Sequence, residues 1–322
     1  MTTQYDLIIV GGGPIGLACA IEAQKKNLRY LIIEKGAIVN SIFNYPFYMT
    51  FFSTAERLEI GDIPFNCLAP KPGRQDALEY YRNIHRYFNF SIHLFEKVNQ
   101  VLKLEDQSFK ITTDKSSYKS KNVIIATGFY DIPIEMNVKG EELPKVRHYY
   151  KEAHEYAFRN VLVVGANNSS VDAALECWRK GANVTMVIRK NEINNRVKYW
   201  VKPDIENRIA EGSIKAYFES NITEIGENEV EIKTPDGKVT IENDFVLALT
   251  GYKPDLSFLE KMGIELSNDE LKTPHYNPET METNIKGLFL AGVVCGGMQT
   301  HKWFIENSRI HANMIVDYIT SK

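Results

Sequence analysis

Twice in this chain an apolar strand runs into a loop of small residues, then a helix, then a second strand. This repetition restricts the possible folds more than any other feature. Residues 5–10 read as a strand, 14–26 as a helix and 29–34 as a second strand. Residues 160–164, 168–180 and 183–189 repeat the plan. Short apolar runs alternating with helical periodicity mark an α/β fold with parallel strands. A chain of 322 residues also suits two domains of about 100–200 residues each. Two Rossmann-like dinucleotide-binding domains are therefore expected.

The first loop, Gly11-Gly12-Gly13-Pro14-Ile15-Gly16, is a GxGxxG directly after a strand and at a helix start. Glycines belong there because the backbone must turn sharply and approach a pyrophosphate with no Cβ in the way. The helix N-terminus adds free N–H donors and the positive end of its dipole. Glu34 closes the second strand, 18 residues after Gly16, where a carboxylate accepts hydrogen bonds from adenosine ribose hydroxyls. A bare GxGxxG can be no more than a turn. Strand, helix and terminal carboxylate together point to a dinucleotide.

The second loop, Gly165-Ala166-Asn167-Asn168-Ser169-Ser170, keeps a single glycine. Its small and amide-bearing residues still admit a pyrophosphate and offer hydrogen-bond donors. The strand that follows its helix ends in Arg189-Lys190. A carboxylate in that place repels a 2′-phosphate, whereas Arg and Lys pair with one. The first unit thus suits FAD or NAD, and the second suits NADPH. Arg196 is a candidate third contact; a solvated basic strand end is the plainer alternative.

A strand ending in Ala126-Thr127-Gly128 and another ending in Thr250-Gly251 bracket the second unit. That placement is expected if the NADPH domain is inserted into a discontinuous FAD domain, with bounds 1–130 and 249–322 for FAD and 131–248 for NADPH. Residues 284–293 form a further strand with close backbone contact at Gly292. Periodicity gives a helix over 303–320, whose first turn near Phe304 and Ile305 would aim a dipole at the charge that develops on a reduced flavin. Antiparallel strands are expected over 91–103, 108–113 and 117–126, then over 214–225, 228–233 and 238–249, with Asp236-Gly237 as a hairpin turn. Residues 43–75, rich in Phe, Tyr and Pro, follow no regular pattern, as in a ligand-binding loop.

A net charge of -3 gives no electrostatic footprint for nucleic acid or an anionic membrane. The apolar runs have strand length, short of the ~18 residues that span a bilayer. The N-terminus lacks the basic segment and apolar core of a signal peptide, so a cytoplasmic location is expected. The four cysteines, Cys19, Cys67, Cys177 and Cys295, form no CxxC and no zinc spacing, and reduced thiols are the expectation.

More specific than the glycine loops are the runs Asn40–Pro46, Thr50–Ser53, Ile60–Phe65, His148–His154 and Phe304–Asn307. With them the whole chain resembles the YpdA family of bacillithiol disulfide reductases, within the thioredoxin-reductase-like flavoproteins. The resemblance implies a homodimer or higher homo-oligomer that passes hydride from NADPH to FAD and on to a small disulfide. A reductase for a ferredoxin or flavodoxin carrier, and a flavin-binding sensor, are the alternatives. It implies cofactor contacts at Gly11, Gly13, Pro14, Ile15, Gly16, Glu34, Lys35, Asn44, Thr50, Thr127, Gly128, Gly292, Val293 and Ile305. Around the second unit the implied contacts are Gly165, Asn167, Asn168, Ser169, Ser170, Arg189, Lys190 and Gly251.

Three departures are visible. Where thioredoxin reductases carry a redox CxxC, this chain reads His148-Tyr149-Tyr150-Lys151, which excludes a thioredoxin-type relay. Ile15 stands where many YpdA relatives have the cysteine expected to form a mixed disulfide. Val293 stands where most FAD reductases place an Asp, which the YpdA-type pattern allows. Cys295 is the candidate substitute thiol, with Cys19 behind it. No catalytic side chain is assigned, because the hydride step needs no acid or base.

Overall fold

The computed structural model describes residues 4–321, and its chain divides into two compact units. One comprises the residues up to Asn44, Thr50–Ile132 and the chain from Tyr252 onward; the other comprises Tyr45–Met49 and Pro133–Gly251.

The first unit is built on the strand Gln4–Val10, whose last four residues are buried. Tyr30–Ile33 lies parallel to it on one side and Ser117–Ile125 parallel on the other. Ile92–His93 extends the first edge, and Leu288–Leu290 pairs in parallel with the end of Ser117–Ile125. Buried on both faces, these inner strands read as continuous apolar runs rather than alternating ones. The first half of Ser117–Ile125 instead carries an antiparallel meander, Phe109–Thr113 and then Val98–Lys103. The helix Pro14–Lys25 buries Leu17, Cys19, Ala20 and Ile21 completely and packs beside the C-terminal helix Ile310–Thr320.

The second unit repeats the order. Asn160–Val164 lies between Asn183–Val187 and Phe245–Ala248, with Lys215–Tyr217 and Val146–Arg147 at the edges, all parallel. The helix Asn168–Arg179 buries Val171, Ala174 and Leu175 in a core shared with Val161, Val163 and Met186. A separate three-stranded antiparallel sheet, Asn221–Ile225, Glu229–Thr234 and Gly237–Glu242, covers a second apolar cluster around Leu162, Val230 and Ile232.

Several expectations need correction. The segments 91–103, 214–225 and 238–249 each hold two strands, and Ile92–His93, Lys215–Tyr217 and Phe245–Ala248 pair in parallel, not antiparallel. Left-handed residues, Phe95 (φ 53) and Glu219 (φ 50), interrupt the first two segments. At the third, the Asn243 side-chain amide bonds the carbonyls of Asn160 and Phe245. The hairpin tip is Pro235-Asp236, with Gly237 (φ +129) already paired to Thr234. The C-terminal helix begins at Ile305 and is divided at Arg309 into Ile305–Ser308 and Ile310–Thr320. There the Ala312 amide closes on the Arg309 carbonyl at 3.3 Å, a three-residue turn tighter than α.

Candidate functional site

In the first unit the strand order reverses at Gln4–Val10, between Tyr30–Ile33 and Ser117–Ile125. The crevice at the carboxyl ends of such strands is where open α/β sheets bind ligands. The Gly11 amide donates to the Ile33 carbonyl at 2.9 Å, and the Ala126 amide donates to the Val10 carbonyl at 2.8 Å. Thr127 and Gly128 are thereby carried to the edge of the glycine loop.

The glycines of that loop divide their tasks. Gly11 has φ +111, and a Cβ there would lie 2.5 Å from the Ala126 carbonyl oxygen. A Cβ at Gly16 would lie 1.9 Å from the Gly11 carbonyl oxygen, so this glycine lets the helix close on the strand. A Cβ at Gly13 would meet no atom within 4 Å. Gly13 is also the cap of Pro14–Lys25, with no side chain bonded to the first turn and no acidic residue in it. An uncapped N-terminus facing open space fits a diphosphate.

Glu34 is buried at the same edge. Its Oε2 accepts the Gly12 amide at 2.7 Å and its Oε1 the Gly36 amide at 2.9 Å. Burial pushes the carboxyl up, and the two amides pull it back. Each oxygen keeps a lone pair for a ribose hydroxyl. Lys35 pairs with Asp131 at 2.5 Å.

Gly292 reaches the loop through Ile15: a Cβ at Gly292 (φ +80) would lie 3.3 Å from Ile15 Cγ1. Val293 follows it, half-buried. Asn44 approaches the strand end through its carbonyl, 3.5 Å from the Tyr130 hydroxyl. Thr50 bridges to Gly73, and the Ser53 hydroxyl donates to Glu306 at 2.6 Å, beside half-buried Ile305. The helix starting at Ile305 is four residues long, so its dipole is small.

Sequence reasoning overlooked His311, which is fully buried and accepts the Gly292 amide through Nδ1 at 3.1 Å. A single histidine in an apolar helix carries no signal that it supports a glycine turn. Burial holds its ionisation down to about 4. Cys295 Sγ lies 4.0 Å from the same nitrogen. Cys295 is fully buried, and burial pushes its thiol up; the Cys19 and Cys177 thiols are pushed up to about 12 for the same reason. None of these three is a thiolate at neutral pH.

The second unit repeats the crevice with different side chains. The Gly165 amide donates to the Val187 carbonyl at 3.1 Å, and the Leu249 amide to the Val164 carbonyl at 3.1 Å. Gly165 has φ +125, and a Cβ there would lie 2.7 Å from the Leu249 carbonyl oxygen. Thr250 and Gly251 follow directly. The Ser170 hydroxyl is buried, accepting the Asn167 amide at 3.0 Å and donating to the Asn167 carbonyl at 2.9 Å. It serves the turn. The Asn168 amide group is also committed, to the backbone of residues 196 and 198. Asn167 and Ser169 are exposed at the helix start, and Arg189, Lys190 and Arg196 are exposed nearby in sequence. Among the described residues none of these three cations is in a salt bridge, which fits a 2′-phosphate.

His148 lies 3.5 Å from Glu141, and His154 starts a short 3₁₀ turn. Among the described residues there is no cluster that could hold a metal ion, and no helix long and apolar enough to cross a membrane.

Residues 8–292 match the family described as pyridine nucleotide-disulphide oxidoreductase. Bacilliredoxin reductase Bdr of Bacillus subtilis is 46% identical over 99% of this chain and 98% of its own. The solved structures of bacillithiol disulfide reductase Bdr (YpdA) from Bacillus cereus and Staphylococcus aureus are 44% and 41% identical, each with a TM-score of 0.96 over 99% of both chains. With one match across the family domain and others end to end, this chain belongs to the pyridine nucleotide-disulphide oxidoreductases, in the branch that contains Bdr.

Proposed function

We propose that this protein is an FAD-containing, NADPH-dependent reductase of a low-molecular-weight disulfide, with bacillithiol disulfide as the first substrate. One observation carries the reading: the same crevice occurs twice with opposite charge at its strand end, buried Glu34 in one copy and exposed Arg189 and Lys190 in the other. The main chain at Gly11, Gly13 and Gly16 holds the FAD diphosphate, and Glu34 holds the adenosine ribose. Thr127, Gly128 and the Gly292–Val293 turn line the same edge. In the second unit the main chain at Gly165, Asn167 and Ser169 faces the NADPH pyrophosphate, while Arg189 and Lys190 pair with the 2′-phosphate. Bound FAD supplies a two-electron relay from NADPH to the acceptor. The names of the full-length relatives support the acceptor class.

Ile15 has no atom able to attack a disulfide, so no mixed disulfide forms at that position. We further propose that the protein works as a homodimer or higher homo-oligomer in the cytoplasm, where its four free cysteines stay reduced. The deciding experiment is an anaerobic NADPH titration of flavin-loaded protein, followed by turnover with bacillithiol disulfide. The expected result is flavin bleaching and substrate-stimulated NADPH oxidation in wild type. Stimulation in Ile15→Cys alone would refute the disulfide acceptor for the native chain.

Buried, un-ionised thiols at Cys19, Cys177 and Cys295 favour a second reading. In it the same relay serves a ferredoxin or flavodoxin carrier, without thiol chemistry. Carrier reduction in the same assay, with no response to the disulfide, would establish it.

A further inference from the structure

The segment between Arg189 and Val201 carries Arg189, Lys190 and Arg196, none of them in a salt bridge among the described residues, yet it is not a free loop. Ile193 and Val197 are buried, at 2% and 4% exposure, and they anchor it to the core of that unit. The Asn194 amide donates to the Ala166 carbonyl at 3.1 Å, which ties the segment to the glycine loop. The Lys198 Nζ is buried and pairs with Asp172 at 2.7 Å on the helix Asn168–Arg179.

Arg196 is the residue these ties enclose. Its amide donates to Asn194 Oδ1 at 3.0 Å. Its carbonyl accepts Asn168 Nδ2 at 3.2 Å, while Asn168 Oδ1 accepts the Lys198 amide at 2.8 Å. The Asn168 side chain thus bonds the backbone on both sides of Val197, as a neighbouring strand would. The guanidinium itself is exposed and in no salt bridge among the described residues. A fixed backbone beneath that cation lowers the ordering cost of anion binding, because only the Arg196 side-chain rotamers remain to be fixed when the anion arrives.

We propose that Asn168 and Asn194 are positioning residues. By clamping the backbone of Arg196 they set the preference of the second unit for a 2′-phosphorylated adenine nucleotide over its unphosphorylated counterpart. Asn168 begins the helix that faces the pyrophosphate, so one side chain joins the pyrophosphate end of the site to the 2′-phosphate end. This inference rests on the reading of the second unit as the NADPH site.

The test is equilibrium binding of 2′,5′-ADP and of 5′-AMP to the full flavin-loaded chain, by titration calorimetry. Wild type prefers 2′,5′-ADP. Asn168→Ala weakens 2′,5′-ADP by about 10-fold, the effect of one lost hydrogen-bond arrangement, with a much smaller change for 5′-AMP. In an Arg196→Ala background the same substitution causes no further loss of preference, because the two act through one contact. Asn194→Ala, which touches no helix residue, reproduces the loss if Asn168→Ala does not fold. A wild type that binds both nucleotides equally overturns the NADPH reading itself. A wild-type preference that survives Asn168→Ala or Asn194→Ala, or is lost equally with and without Arg196, overturns the positioning role alone.

Discussion

Gly13 and Gly16 stand three residues apart in one loop, and the space around them differs entirely. Gly16→Ala drives a Cβ into the Gly11 carbonyl at 1.9 Å, backbone against backbone, so neither side can yield cheaply. A loss of about 1–3 kcal/mol of stability is expected, as for other overpacked sites. Gly13→Ala points its methyl into open space and should leave the apoprotein melting temperature unchanged while lowering FAD retention. Thermal unfolding of apoprotein, alongside flavin content after gel filtration, separates the two. Equal destabilisation by both would contradict this division of roles.

His311 allows a prediction with a definite sign. Burial lowers its ionisation from 6.5 to about 4 in the folded chain. Between those values the unfolded chain binds more protons, so stability is full above pH 6.5 and is lost as pH falls through the window, by about 3 kcal/mol in all. His311→Gln should flatten that dependence. Urea unfolding at pH 7 and pH 4.5 measures it, and an unchanged difference between the two pH values would show that another group is responsible.

At the scale of elements, each glycine loop works because three strands hold it. The Val10 and Val164 carbonyls fix the segments that bring Ala126 and Leu249 against Gly11 and Gly165. The helix behind the second loop is also held by the pair that buried Lys198 makes with half-buried Asp172. Replacing Lys198 alone by Met should cost more than replacing Lys198 and Asp172 together by Met and Leu, since the single change strands a carboxylate. Chemical unfolding of both variants decides it, and the reverse order would contradict the argument. Gly165 was legible in the sequence, whereas the roles of Asn168 and Ser170 were not. Both are polar and small, which suits phosphate contact in sequence, but their partners, Arg196, Lys198 and Asn167, are set by how the loop closes.

For the whole molecule, the chain passes between the two units at residues 44/45, 49/50, 132/133 and 251/252. The second unit has its own parallel sheet and its own apolar clusters. A fragment spanning Pro133–Gly251 should therefore fold cooperatively, with lower stability than in the full chain, because it lacks Tyr45–Met49 and the Phe47 amide bond to the Lys151 carbonyl at 2.8 Å. Circular dichroism during urea titration would show one transition; a broad, non-cooperative loss of signal would mean that the fragment lacks a sufficient core.

The sequence by itself determined the two strand–loop–helix units and the opposite charges at their strand ends, since periodicity and side-chain type are local properties. The long-range choices came from packing. Tertiary structure decided that Ile92–His93, Lys215–Tyr217 and Phe245–Ala248 join parallel sheets, that Cys295 is buried beside His311, and that Asn168 serves the backbone at Arg196. Hydrogen-bond partners far apart in the chain are selected by which surfaces bury together, and no single stretch of sequence contains that information.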